Sequence, residues 1–385
     1  MNENKLRAAI AQNPVLVLLL GACPALAATT AVLPALTLGV TALAVMLLVS
    51  LFSTLIKKLL PANTLFIAHF MLVAGFAGMA QLLLNAWLPK VYNMLGVYAA
   101  LLAVDALIFS ESERAAQQSV GAALKDSFLT CLGFIVALFV TAAIREIFGA
   151  GSFAGITLGF FKAHSVSLLT SPAGGFFVLA IVMAVVSAVS KKDSAALGGT
   201  ADAISSACAE KKEAYTMDFK TFLLIIIGSA LANNVVLEQF FGVTPALGAK
   251  GSAKALAKYG LAVAAVTLVA ALCTAGISIG VYSTFVAALW VLIAASVIGH
   301  FFTDKYLLIA LNGVVFGTCA NAAGSGLAEA AASALGAGLG FTVALLLFAG
   351  VETKIDDKYV PAAFRGFPVR LLAAGILSMA VVAFK

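Results

Sequence analysis

One apolar segment of this chain is interrupted at its middle, and the interruption occurs twice. The first copy runs from Asn13 to Pro24 and the second from Asn234 to Pro245, each with a Gly-x-x-Pro break. Proline lacks an N–H and clashes with the preceding helical turn, so neither copy can form one continuous helix. Two breaks at matching positions are typical of paired broken membrane helices whose freed backbone groups face a midplane site. We therefore predict two homologous halves around such a site.

The composition indicates an all-α integral membrane protein. Hydrophobic residues make up 63% of the 385 residues and charged residues 10%, far from the balance of a soluble domain. In a membrane protein the net charge of +6 bears on topology. The sequence has no basic run interleaved with aromatic residues, so nothing in it indicates nucleic-acid binding. The five cysteines show no Cys-x-x-Cys or Cys/His spacing, which argues against a disulfide scaffold.

The apolar segments fall into two sets separated by a polar linker. We predict about 12 transmembrane segments, six in each half, because most approach the length that a crossing helix needs. The predicted domains are a first half at 1–190, a linker at 191–220 and a second half at 221–385. Residues 152–170 carry Lys162 and His164 and are interpreted as an amphipathic interfacial piece. The predicted segments are 14–30, 35–56, 64–88, 91–109, 122–148, 172–190, 221–247, 255–279, 283–302, 305–322, 332–351 and 369–384.

The basic residues favour opposite orientations for the two halves. With a cytoplasmic N-terminus, most first-half Lys and Arg fall on the inside, whereas the second-half Lys and Arg outside the linker fall on the outside. Positive charge collects in cytoplasmic loops, so the second half prefers to be inverted. Six crossings in the first half, followed by a linker that does not cross, would leave both halves in the same orientation. Either 152–170 or part of the linker crosses, or one broken helix re-enters without spanning.

Several motifs resemble subunits of the Rnf ferredoxin:NAD oxidoreductase complex. The first half resembles its E subunit and the second half its A subunit, which are related to the D and E subunits of the sodium-pumping NADH:quinone reductase. We interpret the chain as a fusion of the two. The first-half motifs are Asn13-Pro14-Val15-Leu16-Val17, Gly21-Ala22-Cys23-Pro24, Gln81-x-x-x-Asn85, Tyr92-x-x-Leu95-Gly96 and Arg145-Glu146-Ile147. The second-half motifs are Asn233-Asn234, Phe241-Gly242, Pro245, Phe316-Gly317, Gly340-Phe341 and Val360-Pro361-Ala362-x-Phe364-Arg365-Gly366.

The resemblance implies a fold, a cofactor and partners. In that family the two subunits are similar six-helix proteins of opposite orientation, and each supplies two cysteines to a [2Fe-2S] cluster between them. The cluster relays electrons across the membrane between flavin- and iron-sulfur-bearing partner subunits, coupled to Na⁺ or H⁺ movement. The resemblance further implies a multi-pass protein of a bacterial or archaeal cytoplasmic membrane.

The chain departs from that family at the cluster positions. Cys23 alone keeps a cysteine there, whereas the other three positions hold Ala106, Thr244 and Gly313. Cluster iron is held by thiolates, with histidine an occasional substitute, so we expect the family cluster to be lost or replaced. Cys319 lies six residues beyond Gly313, about 9 Å along a helix, and could approach only if that helix slipped. Cys23 and Cys319 are therefore the metal-ligand candidates.

Three acidic residues in apolar surroundings are candidates for an ion pathway: Asp105, Glu238 and Glu146. An ionisable group inside a membrane segment is expensive and is a functional hypothesis by default. Each also has a structural interpretation. Asp105 could lie at a helix end and reach toward the glutamates that follow it. Glu238 could pair with Lys250, and Glu146 could form an ion pair with Arg145.

The sequence thus predicts a membrane subunit of an Rnf- or Nqr-like redox-driven ion-translocating complex. No catalytic triad, phosphate loop or nucleotide fingerprint is present, so we expect no catalytic site in this chain alone. Two alternatives stay open. Inverted repeats with broken helices also suit a cluster-free secondary transporter, and the chain could be a structural membrane anchor.

Overall fold

The computed structural model describes residues 21–57, 60–190, 225–248, 253–275, 283–302, 307–355 and 358–382. The linker and the start of the first apolar segment lie outside this part of the chain. The described residues are predominantly helical, with one two-stranded antiparallel hairpin of β1 (Ser152–Phe153) and β2 (Ile156–Thr157). An all-α architecture is therefore confirmed.

The first half contains eight α-helices among its described residues, with two 3-10 segments and one π turn between them. They are α1 (Ala22–Ala28), α2 (Val32–Ile56), α3 (Ala62–Trp87), α4 (Pro89–Leu95), the 3-10 segment Gly96–Val104, α5 (Ala106–Ala115), α6 (Val120–Arg145), the π turn Glu146–Ala150, α7 (Gly159–Ala163), the 3-10 turn Ser167–Leu169 and α8 (Pro172–Ser190).

The second half contains a similar succession of helices among its described residues. Its elements are the π turn Gly228–Ala232, α9 (Val243–Gly248), α10 (Ala253–Ala275), α11 (Ser283–Ile298), the 3-10 turn Gly299–Phe301, α12 (Leu307–Ala310), α13 (Gly313–Ala322), α14 (Leu327–Glu352), the 3-10 turn Ala362–Phe364 and α15 (Phe367–Val382).

Seven helical segments of the described residues are long and apolar enough to cross a membrane. They are Val32–Ile56, Thr64–Trp87, Pro89–Ala115, Val120–Ala150, Ala253–Ala275, Ser283–Phe301 and Leu327–Glu352. Three shorter apolar helices accompany them: Pro172–Ala188, Gly313–Ala322 and Phe367–Val381. The chain is accordingly a multi-pass membrane protein.

Equivalent helices pack in equivalent ways in the two halves. The most extensive packing inside the first half joins α2 to α6, and inside the second half it joins α10 to α14. Each crossing depends on a glycine at the same place. A methyl group on Gly39 would lie 2.8 Å from Ile135, and one on Gly260 would lie 2.4 Å from Thr342. Helices packed this closely admit only small residues at the crossing.

The halves meet through counterpart elements. Helix α8 packs against α15, α3 against α11, and α1 against α9. One hydrogen bond across this boundary runs from the Thr284 hydroxyl to Gln81 Oε1 at 3.1 Å, and both residues are buried. Contacts between an element and its own counterpart are what a two-fold relation between halves produces.

Two predicted segments differ from the structure. The sequence predicts uninterrupted segments at 91–109 and 305–322, yet each contains a break, at Asp105 and at Asn312. Residues 152–170 form the hairpin, the five-residue α7 and a 3-10 turn. These pieces are too short to cross a bilayer, so the expected inversion of the second half would need another cause.

Candidate functional site at the helix breaks

The Gly-x-x-Pro motifs mark the first pair of breaks, of which the one in the first half is described only from Gly21 onward. Gly21 precedes α1 with φ 72°, and Gly242 precedes α9 with φ 65°, so both glycines adopt a left-handed backbone that other residues avoid. Pro24 and Pro245 lie in the first turn of the helix that follows, where a missing N–H leaves no intrahelical bond unmade. The break predicted in the second half is confirmed in full, between the π turn and α9.

The second pair of breaks is built by side-chain caps. Asp105 Oδ1 accepts a hydrogen bond from the Leu107 N–H at 2.8 Å and caps α5. Asn312 Oδ1 accepts one from the Val314 N–H at 3.0 Å and caps α13 in the same way. Asp and Asn are among the strongest N-caps because their short side chains satisfy a free N–H of the first turn.

All four breaks converge at one buried place between the halves. A methyl group on Gly21 would lie 3.5 Å from Asp105 Oδ1, and one on Gly242 would lie 3.1 Å from Asn312 Oδ1. The two pairs then meet, because Cys23 Sγ lies 3.8 Å from Thr244 Oγ1. Four helix N-termini therefore point into one region, and each carries a partial positive charge.

The predicted cluster positions are brought together here. Cys23, Ala106, Thr244 and Gly313 are all buried, each within the first turn of a helix that begins at this place. Cys319 lies farther along α13 and is fully buried. Within the described ranges, no group of three or more His, Cys, Asp or Glu side chains could hold a metal ion.

Two polar atoms of the caps lack a hydrogen-bond partner among the described residues. They are Asp105 Oδ2 and Asn312 Nδ2, and the two side chains belong to residues that are 2% and 0% exposed. A buried polar group without a partner is costly and points to strain or function. One is an acceptor and the other a donor, so the symmetric frame carries chemically different groups.

Glu146 and Arg145 do not pair with each other, so the expected ion pair is wrong. Glu146 Oε2 instead accepts the Val32 N–H at 2.7 Å, and Oε1 accepts bonds from Ser152 and Gly155. This carboxylate thus caps α2 and anchors the hairpin. Glu238 is partly buried in the turn between the π turn and α9, and its N–H donates to Asn234 O at 2.9 Å.

Arg145 has a structural role that the sequence does not reveal. Its guanidinium is fully buried and donates to the carbonyls of Leu26, Leu169, Thr170 and Ser171 and to the Thr29 hydroxyl. It thereby caps the C-terminal end of α1 and holds the turn before α8. Only its position at the end of a long apolar run hints at this.

Asn234 fixes the second-half break, although in the sequence it stands out only as part of a motif. Its side-chain NH₂ donates to Ala230 O at 2.9 Å and Gly340 O at 3.0 Å. Its Oδ1 accepts the N–H groups of Val236 and Leu237. These bonds satisfy backbone groups that the interrupted helix leaves free.

Comparison with known proteins matches both halves of the chain to one family. The family model of Rnf-Nqr subunits, membrane protein, matches residues 2–183 and again 222–385. The gap between the two matches contains the whole predicted linker. The match therefore extends over most of the chain and repeats once.

Individual relatives belong to ion-translocating complexes. The chain is 30% identical over 191 residues to the E subunit of the Na⁺-translocating ferredoxin:NAD⁺ oxidoreductase complex of Acetobacterium woodii, covering 49% of this chain and 97% of the relative. It is 30% identical over 178 residues to the E subunit of the proton-translocating ferredoxin:NAD⁺ oxidoreductase complex of Clostridium ljungdahlii, covering 46% and 84%. It is 31% identical over 194 residues to the E subunit of the ion-translocating oxidoreductase complex of Shewanella amazonensis, covering 47% and 84%. With two matched segments, buried helix breaks at their junction and these relatives, the chain belongs to the Rnf-Nqr family of membrane subunits.

Proposed function

We propose that this protein is a membrane subunit of an Rnf-like redox-driven ion-translocating complex, in which an E-like half (1–190) and an A-like half (221–385) are fused through the linker 191–220. The observation that carries this proposal is the doubled family match together with the contact of Cys23 with Thr244. In a fused pair the two counterpart breaks must meet, and these two residues do so at 3.8 Å.

The proposed topology is about 12 crossings with the halves inverted. Contacts between counterpart helices support a two-fold relation, and the opposite placement of basic residues supports an axis in the membrane plane. Since residues 152–170 form no crossing helix, the inversion requires that part of the linker crosses or that one broken helix re-enters. The relation to Rnf subunits also supports a bacterial or archaeal cytoplasmic membrane as the location and flavin- and iron-sulfur-bearing subunits as partners.

The central place does not fit the four-thiolate [2Fe-2S] cluster that the resemblance implies. Of its four positions, Cys23 alone carries a thiol, and methyl, hydroxyl and hydrogen side chains do not replace thiolates on cluster iron. Cys319 is a free, buried cysteine inside α13, beyond the first turn that carries Gly313. We propose that the cluster is lost and that electron transfer depends on centres held by partner subunits.

The remaining chemistry of the site is ionic. Asp105 is buried beside the breaks with one free carboxylate oxygen, as a group that binds and releases an ion would be. Glu238, in the turn before α9, is a second candidate on the ion path. Glu146 is occupied by three structural hydrogen bonds and is the weakest of the three.

Iron and acid-labile sulfide analysis with low-temperature EPR tests the loss of the cluster. The protein is purified anaerobically, alone and with its native partners, and compared with Cys23→Ser. We expect no stoichiometric iron in the chain itself. A two-iron signal that disappears in Cys23→Ser would overturn the proposal and restore an electron relay.

Membership of a complex is tested by affinity purification from the native membrane. We expect FMN-bearing and ferredoxin-like subunits to co-purify, and Asp105→Asn to lower redox-driven ion uptake in proteoliposomes. The converging broken helices also suit a secondary transporter. Solute uptake by the purified chain alone, without redox partners, would favour that alternative, and full activity of an Asp105→Asn/Glu238→Gln double variant would favour a structural anchor.

A further inference from the structure

The segment that joins α6 to α8 presents apolar side chains to the outside of the protein. It comprises residues 146–171, with the π turn, the hairpin, α7 and a 3-10 turn. Ile156 and Phe160 are 71% and 74% exposed, and Val166 is 52% exposed. Apolar side chains grouped in this way on a protein surface mark a place where another molecule binds.

These side chains project from an ordered frame. The Glu146 carboxylate holds the hairpin at its base. The Leu158 N–H donates to Gly151 O at 2.9 Å, and the Val166 N–H donates to Phe148 O, also at 2.9 Å. Backbone hydrogen bonds therefore close the segment on itself and hold its exposed side chains in fixed positions.

The second half joins the counterpart helices without such a segment. Residues 353–366 connect α14 to α15 and are about half as many as those of 146–171. Their described part contains one short helical element, the 3-10 turn Ala362–Phe364. Joining two helices at this place therefore does not require the hairpin and α7, so the extra residues serve another purpose.

The segment lies at the end of helices that cross the membrane. It follows the membrane-length stretch Val120–Ala150, and its own pieces are too short to cross. Helix α3 packs against α2 and runs back along it, so Trp87 lies at the end of the bundle where Glu146 caps α2. Trp87 is 77% exposed. Tryptophan is enriched where membrane and water meet, which places this end of the bundle at that boundary.

The exposed charge of the segment is basic. Its one acidic residue, Glu146, is buried, whereas Lys162 is exposed. Within the described part of the chain the Lys162 ammonium group has no ion pair. His164 Nδ1–H donates to Phe160 O at 3.1 Å, and the two rings lie 5.1 Å apart. A basic group beside exposed aromatic side chains is typical of segments that lie in the headgroup layer of a membrane.

We propose that residues 148–168 form a binding surface for anionic phospholipids, with Ile156 and Phe160 among the acyl chains and Lys162 at the phosphate group. The apolar side chains leave water, and the ammonium group compensates the negative charge of the headgroup. A lipid fits this surface better than a protein partner does, because lipid surrounds a membrane protein at this level.

The experiment is tryptophan fluorescence quenching on the full chain, in nanodiscs of equal parts phosphatidylcholine and phosphatidylglycerol. Phe160→Trp carries the reporter, after Trp87 and Trp290, the two native tryptophans, are replaced by Phe. In separate preparations one lipid or the other has brominated acyl chains. We expect both lipids to quench, and aqueous iodide to quench at least about twofold less, because the ring lies below the headgroups. Phosphatidylglycerol should quench about two- to fivefold more than phosphatidylcholine, since one lysine attracts anionic lipid by that factor.

Two substitutions of Lys162 test the charge. Lys162→Gln should make quenching by the two lipids equal, whereas Lys162→Arg should keep the preference for phosphatidylglycerol. Lys125→Gln is the matched control, because it removes an exposed charge at the opposite end of α6 and should leave the preference unchanged. Ile156→Trp is a second reporter on the same surface in case Phe160→Trp folds poorly.

Quenching by iodide and by neither lipid would overturn the proposal and assign the surface to a partner protein. Equal quenching by the two lipids with Lys162 in place would overturn the recognition of anionic headgroups. No redox partner takes part in the measurement, so the result does not depend on whether the proposed complex is found.

Discussion

Two arginines cap the C-terminal ends of the short helices α1 and α9, and they do so in different surroundings. In the first half, Arg145 is fully buried and reaches the Leu26 carbonyl at the end of α1. In the second half, Arg370 reaches the equivalent Leu247 carbonyl at 3.0 Å but also forms an ion pair with Glu352 and stacks on Phe367. The first arginine comes from α6 and the second from α15. The need to cap the short helix is therefore shared, whereas the residue that meets it is not.

The comparison predicts unequal costs when each arginine is removed. Arg145→Met leaves the buried Leu26 carbonyl and three partly buried carbonyls without their partner and should cost about 4 kcal/mol of unfolding free energy or more. Arg370→Met removes one carbonyl bond and a partly exposed ion pair and should cost about 1–2 kcal/mol. Denaturant unfolding of the detergent-solubilised variants measures the difference. Equal costs would mean that burial does not distinguish the two caps.

The glycines at the first breaks sharpen the comparison. Gly242→Ala combines a left-handed φ with a methyl group 2.9 Å from both Phe341 and Val314 and should cost about 3 kcal/mol. Gly21→Ala meets its nearest atom, on Phe134, at 3.2 Å and should cost about 1–2 kcal/mol. The same unfolding assay reads both. A reversed order would show that the first-half break is the tighter one.

Exchanging the two caps separates stability from ion handling. Asp105→Asn keeps an equally good cap and should change the unfolding free energy by less than about 1 kcal/mol, while redox-driven ion uptake falls. Asn312→Asp adds a second buried carboxylate at the helix breaks and should cost about 1–3 kcal/mol. The decisive measurement is unfolding paired with uptake in proteoliposomes. Normal uptake in Asp105→Asn would remove Asp105 from the ion path.

The smallest expected effect concerns the bond between the halves. Thr284→Val removes the hydroxyl that donates to Gln81 Oε1 and should cost about 1 kcal/mol. Thr267→Val is the control, because among the described residues the Thr267 hydroxyl bonds only to the Val263 carbonyl of its own helix and should matter less. If both variants cost the same, the bond between α3 and α11 contributes nothing particular to holding the halves together.

The sequence is informative wherever the chain uses proline and glycine. Gly-x-x-Pro excludes a continuous helix by covalent geometry, so the breaks at Gly21 and Gly242 can be predicted directly. The breaks at Asp105 and Asn312 cannot, because a capping side chain looks the same in sequence as a polar residue inside a helix. In the sequence, Asp105 stands out by its charge alone, and Asn312 carries no charge that would distinguish it.

The roles of Arg145 and Glu146 depend on partners more than a hundred positions away. An adjacent Arg-Glu pair suggests a local ion pair, yet successive residues on a helix do not face each other. Burial then forces each side chain to satisfy backbone groups of the nearest helix end instead. Local spacing carries no information about such distant partners, which is why this interpretation is wrong.

The meeting of four helix starts also bears on how the protein keeps a membrane sealed. Positive half-helix ends inside a pore form an electrostatic barrier that rejects protons and cations. If Asp105 handles an ion as proposed, its negative charge lowers that barrier locally, and neutralising the charge raises it again. The loaded site would then block the way for the next ion. The same carboxylate would then both bind the ion and control the electrostatic barrier to the next ion.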